Sequence, residues 1–260
     1  MFVSLNEEDL RLIQQTDHMR QVGEIGEAWG SDAVLPATDG RPHLLRAAYE
    51  HDRGWKEWEG SPTVDPATHR PHDFTALPVS MHVAFYRRAI DAVEAADPHA
   101  GLLVSMHGQG LYLGRFGAGG LPEPSPAEVE RYEPAVREFI AGESERQRRL
   151  RGALGVNDAA VWRQYALLQA WDRLSVLFCH GEPRMTLGPV PGPRGDTVVR
   201  AERLDAGRVT LSPFPFAGRS REFPVRGYTL PDREFRSDAD LAGFLAETAP
   251  EEIVFRAEAA

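Results

Sequence analysis

Apolar positions recur at helical intervals through most of the first 180 residues and alternate at strand intervals afterwards. Leu10, Ile13, Val22, Ile25 and Trp29 lie at mostly helical spacing behind Asn6 and an acidic first turn, which predicts a helix over 6–29. The stretch RPHLLRAAYEHDRGW predicts a second helix, opened near Pro42 and closed at Gly54. Residues 60–78, rich in Pro, Thr and Asp, predict a long loop able to lie over a site as a lid. Helices are then expected over 79–96 and over 100–107, where Gly108 stops the second. The stretch LGRFGAGGLPEPSP predicts a flexible interruption, followed by a charged helix over 126–151 and a largely apolar one over 157–179.

The texture changes after Pro183. GPVPGPRGD reads as a linker, TVVRAERL and RVTLS as strands flanking a turn at Asp205-Ala206-Gly207, and EFPVRGYTL and EIVFRAEA as two more strands around a helix over 238–247. The pattern predicts a helical domain over 1–183 and a small β-rich appendage over 184–260, packed on the helices as an antiparallel sheet. That appendage would close the core or offer a homodimer face. No candidate ligand lies in it, so deleting residues 190–260 is expected to harm solubility or association more than ligand geometry.

Composition narrows the class. With 42% hydrophobic and 26% charged residues in 260, the chain can bury a sizeable core. A net charge of -10 argues against nucleic acid and anionic membranes as partners, because both reward a basic face. No apolar run reaches bilayer length, and the acidic start is unlike a signal peptide, so a cytoplasmic protein is expected. Cys179 is the only cysteine, set in the apolar LSVLFC, and reads as a buried thiol.

The candidate chemistry centres on the adjacent pair His51-Asp52. With His18, His82, His107 and Asp172 it makes a set of imidazoles and carboxylates, the donors that hard and borderline divalent metals take. The members are tens of residues apart, which rules out a compact finger and points to ligands delivered from several helices. Each has a plain structural alternative: His18 an ordinary half-buried imidazole, His82 an exposed helix start, Asp172 a partner of Arg173. An unpaired Asp172 inside LLQAWDRLSVLF would cost several kcal/mol, roughly, without a cation or hydrogen bonds to compensate it. Glu24, Glu27 or Glu50 could orient the histidines from outside. Lys56 is the only lysine among 29 basic residues and could place a compact charge on an anionic substrate, while Trp55 and Trp58 beside it could wall an apolar pocket or simply pack the core. His43, His69, His72, His99 and His180 read as loop or surface residues, with His69 or His72 able to reach the site from a lid.

The order His18, His51-Asp52, His82, His107, Asp172 resembles the HD-domain superfamily in its six-ligand, two-metal form, and words such as QQTDHMRQVGEIGEAWG and LLVSMHGQGLY also resemble an uncharacterised bacterial family of HD-like proteins. The resemblance covers residues 10 to about 180. It implies a mainly α fold, an HD-like helical bundle carrying the small C-terminal sheet. It also implies two divalent ions (Fe, Mn, Zn or Co) shared at Asp52, with His18, His51, His82, His107 and Asp172 as the other ligands. The sequence departs from the hydrolytic branch where Gly54 is followed by Trp55, and lysine comes one position late. Two metals sharing Asp52 would suit a phosphohydrolase acting on an anionic phosphate ester of a small molecule or nucleotide, with Asp52 and Lys56 as its catalytic residues. The same ligands with iron would suit an oxygenase, and a filled coordination sphere would suit a binding protein without catalysis.

Overall fold

The computed structural model describes residues 1–6, 9–36, 40–114 and 130–260. Its first element is not a helix. Strands β1 (Phe2–Asn6) and β2 (Asp9–Ile13) form an antiparallel pair, and β2 continues onto a strand more than 200 residues later, with Leu10 opposite Leu230 and Leu12 opposite Tyr228. Leu10 and Leu12 share a face at period two, so they bury together in a strand. The expected helix over 6–29 therefore shortens to α1 (Gln15–Ala28).

Helix α2 (Arg41–Glu50) gives way to a 3-10 turn (Arg53–Trp55) and the single-turn α3 (Lys56–Glu59). Residues 60–78 are loop apart from a short 3-10 turn at Phe74–Ala76, and they are fastened down at both ends. The Val64 amide donates to Asp238, the His69 carbonyl accepts from Phe235, and Asp73 accepts from the Val3 amide of β1. Helix α4 (Val79–Ala96) follows the expected span, but α5 (Pro98–Leu113) runs through Gly108 and stops only at Gly114, whose φ is 64°. Its internal glycines serve close packing: a Cβ on Gly110 would lie 1.8 Å from the Tyr165 hydroxyl. The expected Gly/Pro interruption lies, from residue 115 to its end, outside the described residues. Helices α6 (Pro134–Leu154) and α7 (Asp158–His180) complete the helical part.

The remaining strands are β3 (Arg184–Val190), β4 (Thr197–Arg203), β5 (Arg208–Ser212), β6 (Ser220–Pro231) and β7 (Glu251–Ala259), with α8 (Asp238–Glu247) before the last. The expected linker begins inside a strand: Leu187 and Val190 are buried in β3, and Pro189 is tolerated because β3 is an edge strand with a register shift at that point. All seven strands join in the order β1-β2-β6-β7-β5-β4-β3, antiparallel except for the parallel β5–β7 pair.

This overturns the expected mainly α bundle with a small antiparallel sheet, and with it the all-α class. The protein is 51% helix and 22% strand, and its sheet is a mixed half-barrel. The sheet takes strands from both sides of residue 183 and wraps α7: Phe178 stacks on Phe255 of β7 at 5.1 Å and lies 6.0 Å from Phe223 of β6. The helices remain where the candidate ligands were expected, and the sheet braces the two that carry His18 and Asp172.

Candidate metal centre

Four helical elements bring the donors together. His18 comes from the middle of α1, His107 from α5 and Asp172 from α7, all on buried faces. His51 and Asp52 stand where the chain leaves α2. His51 still has helical dihedrals, but Asp52 adopts φ -104° and ψ 14°, so the neighbouring side chains reach the same space. All five residues are no more than 6% exposed.

Their donor atoms form two overlapping triads, His18–His51–Asp172 and His51–Asp52–His107, within each of which the atoms lie no more than 4.8 Å apart. His18 Nε2 is 3.0 Å from Asp172 Oδ1, and His51 Nε2 is 3.4 Å from Asp52 Oδ2 and 3.5 Å from Asp172 Oδ1. Neighbouring ligands on one ion with bonds of about 2.0–2.2 Å stand roughly 3.0–3.5 Å apart. The spacing fits.

Outer hydrogen bonds decide which imidazole nitrogens carry protons. His51 Nδ1 donates to the Ala48 carbonyl at 2.9 Å, which leaves Nε2 as the atom that faces the two carboxylates and can exchange its proton for a metal; that nitrogen is buried and makes no hydrogen bond. Ser175 donates to Gln21 Oε1 at 2.7 Å, so its oxygen accepts from His18 Nδ1, also at 2.7 Å, and the His18 lone pair is on Nε2. The two Nε2 atoms and the two carboxylates thus gather around His51 Nε2, where a proton or a divalent ion can sit between them. Because His51 offers only Nε2, the two triads describe one cluster around that atom.

His107 is less committed. The Gln169 amide donates to its Nδ1 at 2.9 Å, which puts the ring proton on Nε2 and leaves Gln169 Oε1 buried without a partner. Turning that amide over would free His107 Nε2 as a fifth donor.

Electrostatics separates the two rings, whose centroids are 4.8 Å apart. Burial pushes His51 down, but the charge of Asp52 and its contacts with Asp172 and Asp52 more than reverse this, raising it to about 10. Burial dominates at His107 and lowers it to about 4. Burial also opposes ionisation of Asp52 and Asp172, yet the histidines outweigh it and hold both carboxyls below their ordinary range.

His82 stays outside both triads. It is half-buried, packs 5.3 Å from Trp55, and gives Nε2 to the Phe74 carbonyl at 2.7 Å. Lys56 is exposed at the start of α3. Trp55 is fully buried between His82, Phe74 and Phe85, and so packs the core. His69 is exposed and His72 bonds Thr63, so neither reaches the centre. His180 is half-buried, 5.7 Å from Phe74 and 3.8 Å from Asp73. Of the glutamates expected to orient ligands, Glu50 pairs with Arg46 and Arg53 instead.

Sequence reasoning missed the residues that do this work: Ser175, Gln21 and Gln169. Their signal was the helical repeat. Gln169, Asp172 and Ser175 follow one another at i, i+3 on α7, as His18 and Gln21 do on α1. It also missed Glu59, whose buried carboxylate accepts from the amides of Gln15 and Thr16 at the start of α1.

Among the described residues, no helix is long and apolar enough to cross a membrane. No curated protein matches the chain, and no solved structure does. A family model described as a protein of unknown function, DUF3891, matches residues 1–232 and so takes in every residue of the cluster and six of the seven strands. The chain belongs to the DUF3891 family.

Proposed function

We propose that the protein is a metal-dependent hydrolase of a small phosphate ester, with one divalent ion held by His18, His51, Asp52 and Asp172 and with His107 as a fifth neighbour. The observation that carries this reading is the convergence of two imidazole Nε2 atoms, each turned inward by an outer hydrogen bond at Nδ1, on two buried carboxylates. When bound, a divalent ion supplies Lewis-acid polarisation of a phosphoryl oxygen and activation of water near neutral pH. Two carboxylates against a dication leave no net negative charge to repel an anionic ester. His107, neutral at pH 7, can donate from Nε2 to a substrate oxygen. Phe2 lies 5.0 Å from His18, and Phe74 packs 4.8 Å from Phe2, so together they shield that side from water. Hydrolysis is preferred because it is the prevalent chemistry of the HD-domain superfamily, which the order of His18, His51-Asp52 and Asp172 resembles. His82 stands outside both triads, so a single ion is the simplest occupancy of this cluster. We place this activity in the cytoplasm.

The test is metal analysis of protein purified without oxygen, followed by assay of phosphate release from small esters. About one ion of Mn, Zn, Fe or Co per chain, with phosphate release that disappears together with the metal in His51→Ala, is the expected result. Metal-free protein would overturn the centre. Iron with oxygen uptake and no phosphate release would overturn hydrolysis in favour of an oxygenase.

A further inference from the structure

We propose that Gln21, which offers no ligand to the centre, sets the tautomer of His18 through a buried relay anchored on the sheet; this rests on the reading of His18 as a metal ligand. The relay starts at β6. The Gln21 amide nitrogen donates to the Phe223 carbonyl at 3.2 Å and lies 3.5 Å from the Pro224 carbonyl. With its N–H groups committed there, Gln21 must turn Oε1 towards Ser175. The single hydroxyl proton of Ser175 goes to that oxygen, and the Ser175 oxygen is left to accept from His18 Nδ1–H. Gln21, Ser175 and His18 are 1%, 0% and 1% exposed, so water does not compete.

The far end is His18 Nε2, 3.0 Å from Asp172 Oδ1, where the proposed tautomer places the lone pair. In the other tautomer, Nε2–H would satisfy Asp172 within the protein, and an incoming ion would have to displace that proton. The relay therefore keeps His18 ready to ligate. Without the Gln21 oxygen, only the weak acceptor Cys179 Sγ, 3.9 Å away, competes with His18 Nδ1 for the Ser175 proton, and the ring proton moves to Nε2. Gln21 is thus a positioning residue acting through Ser175.

The test uses the full chain, stripped of metal, with His18 protonation read from long-range proton–nitrogen correlations and Mn²⁺ affinity read by calorimetry. Wild type should show Nδ1–H. Gln21→Leu and Ser175→Ala should both show Nε2–H and bind Mn²⁺ about ten- to a hundredfold more weakly. An unchanged tautomer and affinity in either folded variant would overturn the relay while leaving the metal centre standing. Absence of Mn²⁺ binding by wild type would overturn the metal reading, and the tautomer comparison alone would then judge the relay. A purely structural role for Gln21 would change thermal stability without moving the ring proton.

Discussion

At the residue scale, the proton on His51 is the most informative. Its folded pKa of about 10 lies above the ordinary 6.5, so in the metal-free protein this group contributes stability that is fully present below pH 6.5 and lost as pH rises through about 10. The metal-free melting temperature should fall by several degrees across that window, while the metal-loaded protein, in which the ion replaces the proton, should lose less. Metal uptake at pH 8 in weak buffer should release about one proton per ion, measurable by calorimetry in buffers of different ionisation enthalpy. Uptake without proton release would place the ion elsewhere. Lys56→Ala should leave metal content unchanged and alter stability by less than about 0.5 kcal/mol, because the side chain is exposed; a tenfold loss of turnover would return Lys56 to the substrate. The residue types at the centre were legible because a histidine next to an aspartate, and an aspartate in an apolar helix, both need explaining. Which nitrogen of each ring faces inward was not legible, since it depends on Ser175, Gln21 and the Ala48 carbonyl.

At the scale of elements, two joints hold the ligand-bearing segments in place. The 3-10 turn after Asp52 passes so close to α4 that a Cβ on Gly54 would lie 1.9 Å from the Phe85 carbonyl. Gly54→Ala should therefore cost about 1–3 kcal/mol or more and weaken metal binding by moving Asp52, a paired outcome that denaturation and metal titration would check. The second joint is the start of α1, whose cap residue Gln14 supplies no side-chain acceptor. Glu59 supplies it from 44 residues away, accepting from Gln15 and Thr16 amides and from the Thr16 hydroxyl. Glu59→Ala leaves buried donors unpaired and should destabilise the fold by about 1–3 kcal/mol, read from denaturant midpoints. Helix spans such as 79–96 and 238–247 were legible because periodicity, Pro and cap residues agreed. The first element was not: Leu10 and Ile13 suit a helix as well as a strand, and the edge of β6 decided between them.

On the scale of the molecule, the sheet is a structural partner of the centre. Arg203 of β4 donates to the Leu177, Phe178 and Glu182 carbonyls around the end of α7, and β6 pairs with β2 and holds Gln21. Deletion of residues 190–260, expected from sequence to spare the ligand geometry, should instead abolish both cooperative unfolding and metal binding. A truncated chain that still melted cooperatively and bound metal would show that the helices stand without the sheet.

Residue chemistry and local periodicity alone determined the donor types, the positions of most helices and strands, and the apolar surroundings of Asp172, because these depend on neighbours a few positions away. Tertiary structure alone decided that His51 and Asp52 join His18 and Asp172, that His82 turns to Phe74, that Lys56 faces water, and that both ends of the chain share one sheet. The gathering of the donors and the shared sheet depend on contacts between residues more than 100 positions apart, such as His18 with Ser175 and Leu12 with Tyr228, and local patterning carries no record of such partners.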